Sequence, residues 1–148
     1  MNRRTFIKGA LLTAAAMSSG KVLAGEYKHQ SKKELNRLTG RDNPSVLEQK
    51  HVPGIEAPDT VQSGAWFDVR INVGFMKEHP STPGHWITRI KLLVNDSEVA
   101  KSQFEQGGIT SSHAVFRIKL DTNAKLEAIE HCNLHGTWIS GPVTIKVT

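Results

Sequence analysis

The sequence predicts an all-β fold, a sandwich of about seven short strands, on three observations. Apolar and polar residues alternate with period two in several stretches, turn-forming clusters separate those stretches, and no strong helical period runs through the residues beyond position 45. In "AWFDVRINVG", Phe67, Val69, Ile71 and Val73 alternate with Asp68, Arg70 and Asn72, the pattern of a strand with one buried face. Short strands at this spacing over roughly 100 residues suggest an immunoglobulin-like β-sandwich.

Residues 1–24, "MNRRTFIKGALLTAAAMSSGKVLA", combine a paired arginine, a closely following Phe-Ile-Lys, an apolar stretch from Ala10 to Met17 and a small-residue cleavage site, Val22-Leu23-Ala24. This leader resembles a twin-arginine signal peptide. Its apolar stretch is far short of the about 20 residues that span a bilayer. The expectation is therefore a removed signal and an exported, periplasmic protein starting near Gly25, with no stable membrane insertion.

Residues 25–45 are polar and charged, with a weak helical tendency around Lys32 to Leu38 that Gly40 and Pro44 end, and read as an extension or linker. Residues 46–148 carry the domain. Besides "AWFDVRINVG", alternation recurs in "HAVFRIKL", where Ala114, Phe116, Ile118 and Leu120 oppose Arg117 and Lys119, and in "VTIKVT". "WITRIKLLV", "EVAKSQF" and "AKLEAIE" are less regular candidates, separated by Asn95-Asp96-Ser97, Gly107-Gly108 and Asp121-Thr122-Asn123.

The net charge of +5 points at first to nucleic acid or an anionic surface. Yet Arg3, Arg4, Lys8 and Lys21 lie in the leader, which has no acid; taking those four from 19 basic residues leaves 15 against 14 acidic ones. The domain itself is nearly neutral, and no nucleic-acid partner is expected.

Cys132 is the only cysteine. Outside the cytoplasm a lone thiol has three fates: an intermolecular disulfide, an inert buried side chain, or a metal ligand. Composition does not choose among them.

The histidines narrow the choice. His79 and His85 bracket "HPSTPGH", where two prolines and a glycine prevent regular structure, so a loop can aim both rings at one point. Cys132 and His135 lie in "CNLHG", a spacing that suits a turn able to bring thiolate and imidazole to one ion. His51 precedes Val52-Pro53 and is expected on an irregular, extended strand start. His29, His113 and His131 read as solvent-facing or structural. Four imidazoles and a thiolate exceed a structural zinc set, and no methionine follows Cys132 as a blue-copper centre would need. Five ligands with an open sixth position would suit iron that reacts with a small oxidant.

Taken together, Lys-His-Val-Pro at 50–53, "GIEAP", His-Pro-x4-His at 79–85, an Ile-rich strand and Cys-Asn-Leu-His-Gly-x-Trp at 132–138 resemble the iron domain of superoxide reductases, also called desulfoferrodoxin or neelaredoxin, over about residues 44–148. The resemblance implies a mononuclear non-haem iron cofactor cycling between Fe2+ and Fe3+, with His51, His79, His85 and His135 as equatorial ligands and Cys132 as the axial one. It also implies one-electron reduction of superoxide to hydrogen peroxide, with two protons taken up and no dioxygen released. Lys50 matches a lysine whose cation would draw in the anionic substrate.

Two departures stand out. The family often has Glu-Lys-His, its glutamate occupying the sixth position of ferric iron, whereas Gln49 stands here, with Glu48 one place too early and expected, by strand alternation, to point elsewhere. There is also no N-terminal cysteine-rich domain, which places the match in the one-iron class and makes the electron donor an external, periplasmic one. Assembly into a homo-oligomer is left open. Two other readings of the residues remain at this stage: a cupredoxin-like electron-transfer module, and a carrier of sulfur compounds that uses Cys132 for a covalent adduct.

Overall fold

The computed structural model describes residues 31–148. The proposed signal peptide at 1–24 and His29 lie outside the described residues. Nine strands are present among them: β1 (Pro53–Glu56), β2 (Thr60–Val61), β3 (Trp66–Val73), β4 (Ile87–Val94), β5 (Ser97–Gln103), β6 (His113–Lys119), β7 (Ala124–Cys132), β8 (Gly136–Ile139) and β9 (Val143–Val147). The expectation of about seven was low because β1, β2 and β8 span only two to four residues, too few to display an alternation.

The strands form two sheets. One is three-stranded in the order β1-β3-β6; the other runs β2-β9-β7-β4-β5, with β8 beside β7. All pairs are antiparallel except β2 with β9. Alternation sets the facing sides. Phe67, Val69, Ile71 and Val73 of β3 are buried as the period predicts, and β7 buries Ala124, Leu126, Ala128, Glu130 and Cys132 while its intervening residues are half-exposed.

These inward faces meet Ile87, Ile90 and Leu92 of β4 and Ile145 of β9 in one core. Each fully buried aliphatic side chain here contributes about 1.5–3 kcal/mol. Asn95 and Asp96 adopt φ of 47° and 71°, joining β4 to β5 through the two-residue turn whose twist matches the strands.

One helix, α1 (Val46–His51), precedes β1. Ser45 and Glu48 form its capping box, each side chain bonding the other's backbone N–H. His51 is thus the last helical residue rather than part of an extended strand start. Pro53 does hold its predecessor extended, but that residue is Val52 (φ −62°, ψ 123°), one place beyond the histidine.

The segment read as a linker is also folded from residue 31 onward. A 3-10 turn (Lys32–Glu34) opens it, Leu35 is buried, and Asn36 forms a parallel bridge with Trp138. No helix of the described residues is long and apolar enough to cross a membrane.

Candidate metal centre

Three chain segments converge at one end of the sandwich: the C-terminal end of α1, the loop between β3 and β4, and the turn between β7 and β8. The β3–β4 loop doubles back at Gly74 (φ 80°), where an added Cβ would lie 2.5 Å from the backbone nitrogen of His79. That return carries His79 into the interior, where it is 3% exposed. A second turn follows, closed by Thr82 N–H to the His85 carbonyl at 2.9 Å and His85 N–H to the Thr82 carbonyl at 3.1 Å. The β7–β8 turn places Cys132 opposite Gly136, whose φ of 76° lets the chain reverse in three residues.

Asn133, which the sequence reading left unassigned, ties the two turns together. Its Oδ1 accepts the Trp86 N–H at 2.9 Å, its Nδ2 donates to the Gly84 carbonyl at 2.8 Å, and its own N–H reaches the Trp86 carbonyl at 3.2 Å. The only signal for this role was an amide side chain in a turn.

The four imidazoles form a square. Ring centroids are 4.7 Å apart for His51–His79, 4.7 Å for His79–His85, 4.8 Å for His85–His135 and 4.7 Å for His135–His51, each neighbour standing edge-on to the next. The His51–His85 diagonal is 6.3 Å. Ligand atoms of His51, His85, Cys132 and His135 all lie within 4.8 Å of one another, and His79 joins them through a 3.2 Å approach of its Nε2 to the Nε2 of His51.

That approach is a physical test of what the centre can hold. The Nδ1 of His51 meets the Leu47 carbonyl and that of His79 the Pro80 carbonyl, both at 2.7 Å. A carbonyl only accepts, so Nδ1 carries the proton in both rings and each Nε2 presents a bare lone pair. Burial keeps the rings neutral: it is the leading reason that His51 is held below the usual histidine range and His79 is held at about 4. Two lone pairs 3.2 Å apart repel each other unless a cation lies between them. The Nε2 of His85 is likewise buried without a partner among the described residues. Neutral, inward-facing imidazoles are what a transition metal requires.

Cys132 supplies the softer donor. It belongs to the hydrophobic core and is 0% exposed, and its sulfur lies 3.6 Å from the Nδ1 of His135. Burial pushes the thiol up, while the N–H groups of Leu134 and His135 directed at sulfur favour the thiolate. A sulfur buried in this way does not suit a carrier that must expose its thiol to load an adduct. Four histidines around one thiol do not suit a blue-copper site, which takes two. The donor set fits iron: imidazoles with one thiolate.

The other sequence-selected residues fall as follows. Lys50 is half-buried, and its charge lowers the basicity of both His51 and His85, so it lies within electrostatic reach of the centre. With Glu78, His79, Ser81, Ser112 and His113 it lines a solvent-open pocket of about 340 Å³. His131 points to the opposite side of β7 from Cys132 and bonds Thr137 Oγ1 at 2.8 Å. Glu48 is helical, not extended; its carboxylate is engaged by Thr39 and Ser45.

Two further residues, Trp138 of the quoted motif and Glu130, carried no assigned role in the sequence. Trp138 stacks on His51 (5.2 Å, 24°) and donates its indole N–H to the His135 carbonyl at 3.1 Å. Glu130 is fully buried two residues before Cys132, neither of its oxygens meets a partner among the described residues, and burial pushes its pKa well above the usual carboxylate range. The strand alternation that buries Cys132 was the signal for Glu130.

The chain is similar to known proteins in sequence and in fold. Residues 43–141 match the family model described as desulfoferrodoxin. The chain is 32% identical over 109 residues to a neelaredoxin from Megalodesulfovibrio gigas, covering 62% of this chain and 84% of that one. It is 34% identical over 98 residues to a superoxide reductase from Thermococcus kodakarensis, covering 61% and 83%. Among solved structures, a superoxide reductase (neelaredoxin) from Ignicoccus hospitalis superposes with a TM-score of 0.68 at 29% identity, over 80% of this chain and 100% of that one. With the family match spanning most of the described residues, including all five histidine and cysteine positions of the cluster, the chain belongs to the desulfoferrodoxin family.

Proposed function

We propose that this chain is a superoxide reductase, which reduces superoxide to hydrogen peroxide at a mononuclear non-haem iron held by His51, His79, His85, His135 and Cys132. The observation that carries this reading is the square of four imidazoles beside a buried thiol. Bound there, iron supplies a one-electron Fe2+/Fe3+ couple made more electron-rich by thiolate donation.

The remaining work falls to the protein. The Leu47 and Pro80 carbonyls fix the tautomers of His51 and His79 and aim their Nε2 atoms inward. Trp138 holds the His51 ring from one face, and Asn133 keeps the His85 loop in register with the Cys132 turn. Lys50, at the rim, attracts the superoxide anion. Each superoxide takes up one electron and two protons, and the open pocket gives solvent access for the protons.

The leader at 1–24 supports export through the twin-arginine route to the periplasm, with residues 25–148 as the mature protein. The electron donor is then an external periplasmic one.

The test is a stoichiometry. With reductant present, the iron-loaded protein should form one hydrogen peroxide per superoxide consumed and evolve no dioxygen. One peroxide for every two superoxides, with dioxygen evolved, would mean dismutation and would overturn the assignment.

A further inference from the structure

The residues that precede the family match are folded against β8 and α1, two of the elements around the metal centre. Lys32 forms ion pairs with Asp96 and Glu127, fixing the segment at the far end of the sheet. Leu35 is 6% exposed. Asn36 then bonds the edge of β8 from both sides of its peptide, its N–H donating to the Thr137 carbonyl at 3.0 Å and its carbonyl accepting the Ile139 N–H at 2.9 Å. Those two contacts bracket Trp138, the residue stacked on His51.

Three residues further on, the N–H and Oγ1 of Thr39 donate to Glu48 Oε1 at 2.7 and 2.8 Å, and the Ser45 N–H donates to Glu48 Oε2 at 2.7 Å. Glu48 lies one turn before His51, and its carbonyl accepts the Val52 N–H at 2.9 Å. A six-residue helix is too short to hold its shape unaided. The direction of its terminal imidazole therefore depends on what grips it. Three donors converging on one carboxylate, itself shielded to 8% exposure, make a strong grip.

We propose that residues 31–39 form a positioning strap, clasped by Thr39 and Glu48, which sets His51 against the side of the centre that carries Trp138 and His135. Glu48 and Thr39 are positioning residues, acting on the metal through His51. The proposal rests on the reading of His51 and His135 as ligands; it does not depend on superoxide being the substrate.

The test uses the mature chain loaded with cobalt(II) in place of iron, reading the ligand-field spectrum and the rate of cobalt loss to excess EDTA. Loss of a residue that orients a ligand costs about 10- to 100-fold in metal affinity, so Glu48→Gln should speed cobalt loss by roughly tenfold and shift the spectrum. Thr39→Val, which keeps the branched shape and the N–H but lacks the hydroxyl, should speed it by about threefold, with Thr39→Ser restoring native behaviour. Ile145→Val, a core change away from the strap, lowers general stability and should leave rate and spectrum unchanged.

Native rate and spectrum in both Glu48→Gln and Thr39→Val would overturn the proposal, as would an equal acceleration in Ile145→Val. A His51→Ala protein that holds cobalt as the native protein does would overturn the ligand reading and the strap with it.

Discussion

The side-chain amide of Gln49 donates to the carbonyl of Pro44 at 2.8 Å, back along the chain that enters α1. Its neighbour Glu48 is committed to Thr39 and Ser45. The two side chains that precede Lys50 and His51 are therefore both engaged away from the centre.

Ferric protein should accordingly bind azide more tightly than a Gln49→Glu variant. An intramolecular carboxylate competes at an effective concentration on the order of millimolar, so the variant's azide dissociation constant should rise roughly tenfold. Titration of the visible spectrum with azide measures it. Equal affinities would show that the position-49 side chain does not reach the metal even as a carboxylate.

Lys50 sits at the rim of the pocket beside His79. Removing its charge as Lys50→Ala should slow the second-order reaction with superoxide by roughly three- to tenfold and flatten its ionic-strength dependence, with iron content unchanged. Pulse radiolysis across a salt series is the measurement. A native rate with a native salt slope would reduce Lys50 to a surface residue.

The clasp at Glu48 has a signature in acid. Hydrogen bonds, first from the Thr39 N–H and then from Ser45, hold its carboxyl at about 2, below the ordinary 4.5. A depressed carboxyl binds protons more readily in the unfolded chain, so its stabilisation is fully present above about pH 4.5 and is lost as pH falls towards 2. The melting-temperature gap between metal-free native protein and Glu48→Gln should therefore be widest above that range and close below it. Histidine titration is common to both proteins and cancels in the difference. A gap that stays constant from pH 6 to about pH 2.5 would contradict the ionised clasp.

Much of the architecture was legible in the sequence because period two survives wherever a strand is long and one face is buried, as in β3 and β7. Short elements were not. β8 spans four residues, and what fixes it is β7 on one side and Asn36 on the other, a partner about 100 residues distant in the chain that no local pattern encodes.

The helix carrying His51 was hidden for a different reason. Its capping box, Ser45-Val-Leu-Glu48, was present to be read, but six residues give too few turns for an amphipathic stripe, and Pro53 drew attention to extended backbone. The ligand cluster itself was readable in outline. Prolines and glycine in "HPSTPGH" and the turn in "CNLHG" announced loops that could present side chains. That the four rings close into a square, however, depends on tertiary contacts such as Asn133 with Trp86 and Trp138 with His51.

Iron analysis and visible spectroscopy of native protein beside a Cys132→Ser variant bear on the assignment most directly. Native protein should contain about one iron per chain and develop an intense thiolate-to-iron absorption band on oxidation. Cys132→Ser should lack that band whether or not it retains metal. A variant that keeps the same band at the same intensity would show that Cys132 is not a ligand, and the centre described here would be wrong.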